Sequence, residues 1–239
     1  MKKKFLITGG TGFIGSNISN MLADKGYSVT VFDNNKRGKI NRIKNKNIKF
    51  IKGDIRSIKD LKRAFKGVNA VIHLAYVNGT KYFYSQPDLV LDIASKGLIN
   101  IFDLCIKSKI KELYLASSSE VYQNPFKIPT DENEMLKIPD VHNPRYSYGG
   151  GKILTELYGI NFGRKYFKKL IIFRPHNVYG NDMGNEHVIP ELIKKVKNLK
   201  NNRKLEIQGS GKETRSFIHI EDFCNAFHLL VKKGRHLNI

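Results

Sequence analysis

The sequence predicts an α/β fold, a doubly wound parallel sheet, and three observations carry that prediction. Short apolar runs alternate with amphipathic stretches of helical spacing over most of the chain. A glycine-rich segment, Thr8 to Gly15 (TGGTGFIG), joins the first apolar run to the first amphipathic one. The reactive side chains follow the apolar runs, and in such sheets ligands lie outside the carboxyl ends of the strands.

In chain order, Lys4–Thr8 centres on Phe5-Leu6-Ile7 and reads as a buried strand, and Phe13 to Lys25 has amphipathic helical spacing. Further strands are expected at Ser28–Phe32, Ile48–Ile51, Ala70–His73, Glu112–Leu115 and Leu170–Phe173, alternating with helices. After Pro175 the alternation loosens into a helix at Val188–Leu199, a short strand at Leu205–Ile207, a strand at Arg215–Ile218 and a helix at Glu221–Lys232. No linker, repeat or low-complexity tract intervenes. The expected organisation is a nucleotide-binding domain over residues 1–175, with residues 176–239 a small substrate-binding region interleaved with it.

The glycine segment sits at a strand-to-helix turn. Gly9 allows a tight turn, Gly12 lets the backbone approach a pyrophosphate, and Gly15 lets the helix pack on the sheet, while free amides at Phe13 and Ile14 face the phosphates. The second strand ends in Asp33, beside Asn34, about where an acidic residue binds the adenosine ribose hydroxyls. That carboxylate would repel a 2′-phosphate, which favours NAD. Lys36 and Arg37 keep NADP as the alternative.

The chain has 239 residues, 41% of them hydrophobic, enough for one large α/β domain or one domain plus a small appendage. No stretch has the apolar length of a membrane span, and MKKKFLITGG reads as the first strand rather than a signal peptide. Cys105 and Cys224 lie in apolar helical patterns without metal-ligand spacing, as reduced core residues of a cytoplasmic protein would, with a catalytic thiol as the remote alternative. The formal charge of +21 invites a nucleic-acid reading. Its lysines are scattered, from Lys2-Lys3-Lys4 to Lys194-Lys195, and no aromatic-interleaved basic motif occurs, so a solvated basic surface is expected and no specific nucleic-acid site. Such a field still attracts anionic substrates.

Tyr148 and Lys152 stand four apart inside SYGGGK, on one helical face. A tyrosine with a pKa of about 10 is a poor base at neutral pH, and a nearby cation favours its phenolate. Gly149, Gly150 and Gly151 each disfavour helix by about 1 kcal/mol relative to Ala, so close approach of cofactor, substrate or a facing element is expected there, a frayed helix start being the alternative.

These motifs resemble the extended short-chain dehydrogenase/reductases, in particular the NAD-dependent nucleotide-sugar epimerases and dehydratases. The resemblance covers essentially the whole chain. It rests on TGGTGFIG, Gly53-Asp54-Ile55, His73-Leu74-Ala75, SSSEVY from Ser117 to Tyr122, Tyr148 with Lys152, RPHNVYG from Arg174 to Gly180, and RSFIHIED from Arg215 to Asp222. It implies a Rossmann fold in which Asp54 and Ile55 flank the adenine and Leu74, Ala75 and Pro175 line the cofactor. It also implies that Ser118, with Ser119 beside it, hydrogen-bonds the sugar hydroxyl being oxidised and Tyr148 takes its proton. Lys152 would hold the nicotinamide ribose and lower the tyrosine pKa, and Asn177 and Arg215 would contact the sugar-nucleotide diphosphate. Hydride would leave sugar carbon 4 for NAD and later return.

Glu120 bears on the step between. In the family's 4-epimerases this position is usually small or threonine, whereas dehydratases and decarboxylases commonly carry glutamate, a base able to remove the carbon 5 proton beside a carbon 4 ketone. Ser119 stands where glucose-type dehydratases have aspartate and mannose-type ones serine. Epimerisation is the commoner reaction, Glu120 keeps 4,6-dehydration beside it, and a glutamate that merely buttresses its loop is the alternative. Gln123 replaces the usual glycine of VYG, and Tyr76 stands where a second alanine is common; both are expected near the sugar. Family members usually continue beyond His236-Leu237-Asn238-Ile239, so the C-terminal substrate-binding part is expected to be incomplete.

His73, His176 and His219 read as hydrogen-bonded structural residues, and Tyr82 and Tyr84 as a loop that closes on the sugar or packs aromatics. The expected partners are a nucleotide sugar and, by resemblance, a second copy of the chain. The alternatives are a reductase or dehydrogenase with net redox change, and a dinucleotide-sensing or nucleic-acid-binding protein without turnover.

Overall fold

A computed structural model describes residues 2–184, 187–199, 204–207 and 209–239. Six strands, β1 (Lys4–Thr8), β2 (Ser28–Asp33), β3 (Lys49–Lys52), β4 (Ala70–His73), β5 (Glu112–Ala116) and β6 (Lys169–Phe173), form one parallel sheet in the order β3-β2-β1-β4-β5-β6. The order reverses across β1 and β4, which places the mouth of a ligand crevice at their carboxyl ends. All six expected strands are present, to within a residue or two.

The sheet is covered on both sides, which is why its central strands are nearly continuous apolar runs. Side chains alternate strictly. Phe5, Ile7, Val29, Val31, Ile72, Tyr114 and Ile171 pack with Ile18 and Leu22 of α1 (Phe13–Asp24) and with Phe223 and Phe227 of α8 (Ile220–Lys233). Leu6, Phe32, Val71, Leu113, Leu115 and Leu170 face the other way, toward α2 (Ile58–Ala64), α5 (Leu98–Lys107) and α6 (Ser147–Tyr166). Cys105 and Cys224 are free and buried, one in each core, and burial raises both thiol pKa values.

Local chemistry sets the helix ends. Gly26, at φ +84°, takes the left-handed turn that stops α1, and Ser57 caps α2 by accepting from the Asp60 amide at 3.3 Å. Past the short α3 (Thr80–Ser85), Pro87 opens α4 (Pro87–Asp92), which runs through a π-helical turn at Ile93–Gly97 straight into α5. A side chain at Gly97 would strike Ile55, so the π turn carries its glycine where Ile55 enters.

The C-terminal part returns to the same sheet. β7 (Asn177–Tyr179) and β8 (Phe217–His219) pair in parallel as a separate two-stranded sheet, and α8 packs on α1. β7 was not foreseen, and the expected strand at Arg215–Ile218 is displaced to Phe217–His219. The strand expected at Leu205–Ile207 does not form: that stretch is irregular and has no ladder partner among the described residues. α7 (Val188–Lys197) forms as expected but has no buried residue. No helix among the described residues is long and apolar enough to cross a membrane.

Candidate functional site

The glycine turn and the end of β4 are fitted to each other. Gly9 has φ +71°, and a Cβ there would lie 2.7 Å from the Ala75 backbone. The Leu74 amide donates to the Thr8 carbonyl (3.1 Å), the Ala75 amide to Thr8 Oγ1 (3.3 Å), and Thr8 Oγ1 meets His73 Nδ1 at 2.8 Å. Gly15 packs α1 against the turn itself, close to the Gly9 carbonyl and Gly10, rather than against the sheet. Gly12 caps α1 without a side chain, and no acidic residue stands in the first turn. The start of the helix is thus uncovered by any capping or acidic side chain, a cradle that fits a dinucleotide pyrophosphate.

Asp33 is fixed by two amides, Thr11 on Oδ2 (3.1 Å) and Asn35 on Oδ1 (2.8 Å), while Asn34 accepts from the Lys36 amide (3.0 Å). Arg37 turns toward the other side of the cleft, bonding the Asn78 carbonyl and lying 5.0 Å over the Tyr82 ring. Asp54 binds Arg56 through both oxygens (2.9 and 3.1 Å), and that bonding holds its carboxyl below the usual range. Arg56 continues to Asp92 (2.8 Å) and thence to Lys96 (2.7 Å), around an open depression of about 350 Å³. The Ile55 side chain is buried in the core and its carbonyl accepts from Asn100 (3.0 Å).

Tyr148 and Lys152 project from the first turns of α6, and both are buried. The Tyr148 ring stacks on Phe83 (5.2 Å) and meets Tyr76 edge-on (5.1 Å). Burial pushes its phenol up to about 12, against a hydrogen bond with Ser118 that pulls it down; Glu120 adds to the rise and Arg37 opposes it. Lys152 donates to the Ala116 carbonyl (2.7 Å) and lies 4.0 Å over the Tyr76 ring, and burial lowers its pKa to about 7 although Glu156 opposes this. Desolvation is the largest influence on Tyr148, and what lowers its pKa is Ser118 and Arg37 rather than Lys152. Ser118 Oγ accepts from the Glu120 amide (3.2 Å). The Glu120 carboxylate, about half exposed, stands 3.7 Å from Arg145.

The glycines of SYGGGK answer to a facing element. A Cβ on Gly151 would strike the Tyr76 hydroxyl and come within 2.7 Å of Ala94, and one on Gly149 would lie 3.0 Å from Gln123 Nε2. Gln123 adopts φ +53°, the conformation for which glycine is the usual residue, and its amide folds back onto the Glu120 carbonyl. His73 is buried and held neutral, its pKa lowered to about 3 by desolvation and by Lys152. His176 is exposed, and His219 lies against the Tyr179 ring (5.3 Å). No group of residues suited to a metal ion occurs among the described residues.

One network was not foreseen. Arg174, at the end of β6, makes a two-pronged pair with Glu156 of α6 (2.8 and 2.6 Å), and both side chains are almost fully buried. Ser117 donates to the same carboxylate, and Arg174 also reaches Tyr122 Oη (2.8 Å). The signal available in the sequence was Glu156, four residues after Lys152 on the same helical face. The Ser119 amide donates to the Pro175 carbonyl (3.1 Å), so the β5 and β6 ends are tied together beneath Ser118. Asn177 donates to the Ser216 carbonyl (3.0 Å), which brings it beside Arg215; Arg215 is exposed and bonds the Thr214 carbonyl (2.7 Å).

A family profile described as the NAD dependent epimerase/dehydratase family matches residues 5–239. A Methanocaldococcus jannaschii protein assigned as a UDP-glucose 4-epimerase is 37% identical over 92% of this chain and 71% of its own length. A dTDP-D-glucose 4,6-dehydratase of Dictyostelium discoideum is 29% identical, over 99% of this chain and 57% of its own. Among solved structures, the UDP-N-acetylglucosamine 4-epimerase of Methanobrevibacter ruminantium superposes with a TM-score of 0.85 at 28% identity, covering the whole of this chain and 77% of that one. With a dinucleotide cradle, a buried Tyr148–Lys152 pair beside Ser118, and a family match over nearly its full length, the chain belongs to the NAD-dependent epimerase/dehydratase family.

Proposed function

We propose that this protein is an enzyme that oxidises carbon 4 of a nucleotide sugar transiently and reduces it again after epimerisation or elimination. The observation that carries the reading is the buried cluster of Ser118, Tyr148 and Lys152 at the carboxyl ends of β4 and β5, next to the anion-binding start of α1. NAD, when bound, supplies the hydride acceptor and donor. Tyr148 takes the proton of the sugar hydroxyl, Ser118 holds that hydroxyl, and Lys152 supplies the positive charge that a phenolate needs. Phe13, Ile14, Asp33, Asn34, Asp54, Leu74, Ala75 and Pro175 line the cofactor; Ile55 contributes backbone there, since its side chain belongs to the core.

Asn177, which pairs with Phe217 at the start of the β7–β8 ladder, and Arg215, two residues before Phe217, are the diphosphate contacts, and residues 176–239 are the substrate side of the cleft. Glu120 decides between epimerase and dehydratase. Its carboxylate contributes to the rise of the Tyr148 pKa and its amide donates to Ser118 Oγ, which supports a role near the reacting atoms. Epimerisation remains the first reading and 4,6-dehydration the second. We read the protein as cytoplasmic, supported by its free buried cysteines Cys105 and Cys224, and as a homodimer, supported by exposed apolar residues Leu91, Ile99 and Leu157 on α4, α5 and α6.

The test is Tyr148→Phe beside Glu120→Gln, assayed on whichever UDP- or dTDP-hexose turns over. Tyr148→Phe should lower kcat by about a hundredfold to ten-thousandfold while NAD still binds. If the reaction is elimination, Glu120→Gln should abolish loss of water and leave carbon 4 oxidation measurable in a single turnover. Full activity in Tyr148→Phe would overturn the reading.

A further inference from the structure

We propose that Tyr76 is a positioning residue of this site: its ring face holds the Lys152 ammonium, its ring packs edge-to-face with Tyr148, and its hydroxyl occupies a gap that Gly151 leaves open. The inference rests on the functional reading above for its consequence, but not for its geometry.

Tyr76 follows Ala75 at the end of β4 and turns under α6. Lys152 Nζ lies 4.0 Å from its ring centroid and 5.6 Å from that of Tyr148, so the nearer aromatic face is the one outside the reacting pair. The Tyr76 and Tyr148 rings meet at 86°, the edge-to-face arrangement in which the positive rim of one ring meets the negative face of the other. Phe83 stacks on Tyr148 as well, so the phenol is gripped between two aromatic residues. The Tyr76 hydroxyl is buried and has no hydrogen-bond partner among the described residues. It lies where a Cβ of residue 151 would stand, with Ala94 on the far side. A hydroxyl stranded between helices contributes little by itself, which leaves the ring as the working part.

The physical effect is on Lys152. A quadrupolar ring face stabilises an ammonium and not an amine, and more strongly where water is excluded. The other groups facing Lys152 are Glu156 and Tyr148 on its own helix, His73 at the end of β4, and the Ala116 carbonyl of β5. Glu156 is itself committed to Arg174 and Ser117. The Tyr76 ring and the Ala116 carbonyl are thus what hold the cation beside Tyr148, whose other charged neighbours are Glu120 and Arg37.

The experiment is a pH titration of the Lys152 ¹³Cε resonance in the purified protein, assigned by its loss in Lys152→Arg, and compared with Tyr76→Phe and Tyr76→Leu. Phenylalanine keeps the ring and should leave the midpoint unchanged. Leucine keeps the site apolar without a ring face and should lower the midpoint by about one pH unit, because the charged form loses its support. In the unsubstituted protein the Lys152 ε-methylene protons should also stand upfield of the other lysines, shifted by the ring above which they lie. An unshifted ε-methylene, an unchanged midpoint in Tyr76→Leu, or an equal shift in Tyr76→Phe would each overturn the proposal. The ring-current signal decides the matter even where Tyr76→Leu does not fold. All of these readouts are independent of sugar turnover, so failure here and failure of the functional reading are separately visible.

Discussion

Arg174 and Glu156 show what one buried pair does for this site. Two near-parallel bonds satisfy a guanidinium and a carboxylate that are both out of water, and Ser117 takes up a remaining lone pair. Replacing Glu156 by leucine strands the arginine and should destabilise the protein by about 3–5 kcal/mol, whereas Glu156→Leu with Arg174→Met should recover much of that loss. Denaturant midpoints of the three proteins test this. His73 works through a proton. It is buried neutral, with a folded pKa lowered to about 3 from an ordinary value near 6.5. Its contribution is complete above pH 6.5 and is lost as pH falls toward 3, because the unfolded chain then binds a proton that the native state refuses. A melting-temperature profile should fall across that window, and His73→Asn should flatten it. Tyr148, Lys152 and Ser118 were legible because helical spacing and strand ends are local patterns. The Glu156–Arg174 pair was not, since it depends on which strand end lies under α6.

Helix α6 tests the reasoning at the next scale, because its three consecutive glycines are not equivalent. Gly151 faces Tyr76 and Ala94, so Gly151→Ala should overpack the junction and cost about 1–3 kcal/mol. Gly150 has only Ile138 Cδ1 near it, at 3.6 Å, and Gly150→Ala should stabilise by about 0.5–1 kcal/mol through helix propensity. Urea melts of the two variants should therefore move in opposite directions. From the sequence the triplet signalled close approach but not by what. The central sheet strands were readable because burial on both faces makes them continuous apolar runs, whereas the edge strand β3 shows only Phe50 and Ile51 between exposed lysines. β7 escaped because it is three residues long and pairs with β8, some forty residues away, so no local period announces it. Leu205–Ile207 has strand-like residues but no ladder partner among the described residues, and an unpaired strand has no ladder to stabilise it.

Over the whole molecule, the C-terminal residues close the sheet beyond β6. The Leu237 amide donates to the Leu170 carbonyl (2.7 Å), the Ile172 amide to the Asn238 carbonyl (2.9 Å), and the Leu237 side chain packs in the core that α6 shares. Deleting residues 235–239 should expose the β6 edge and lower the melting temperature by several degrees. The charge of +21 acts at this scale too: affinity for a diphosphate-bearing sugar should fall as salt rises. In the proposed redox cycle the cofactor is oxidised again at the end of each turnover. The most direct measurement incubates the protein with catalytic NAD and a panel of UDP-, dTDP-, GDP- and CDP-sugars, following products by mass and NMR and reduced cofactor by absorbance. Many turnovers per NAD are expected, with a product of unchanged mass or lighter by one water, and no accumulating NADH. NADH formed in step with product, or NAD binding with no sugar converted, would contradict it.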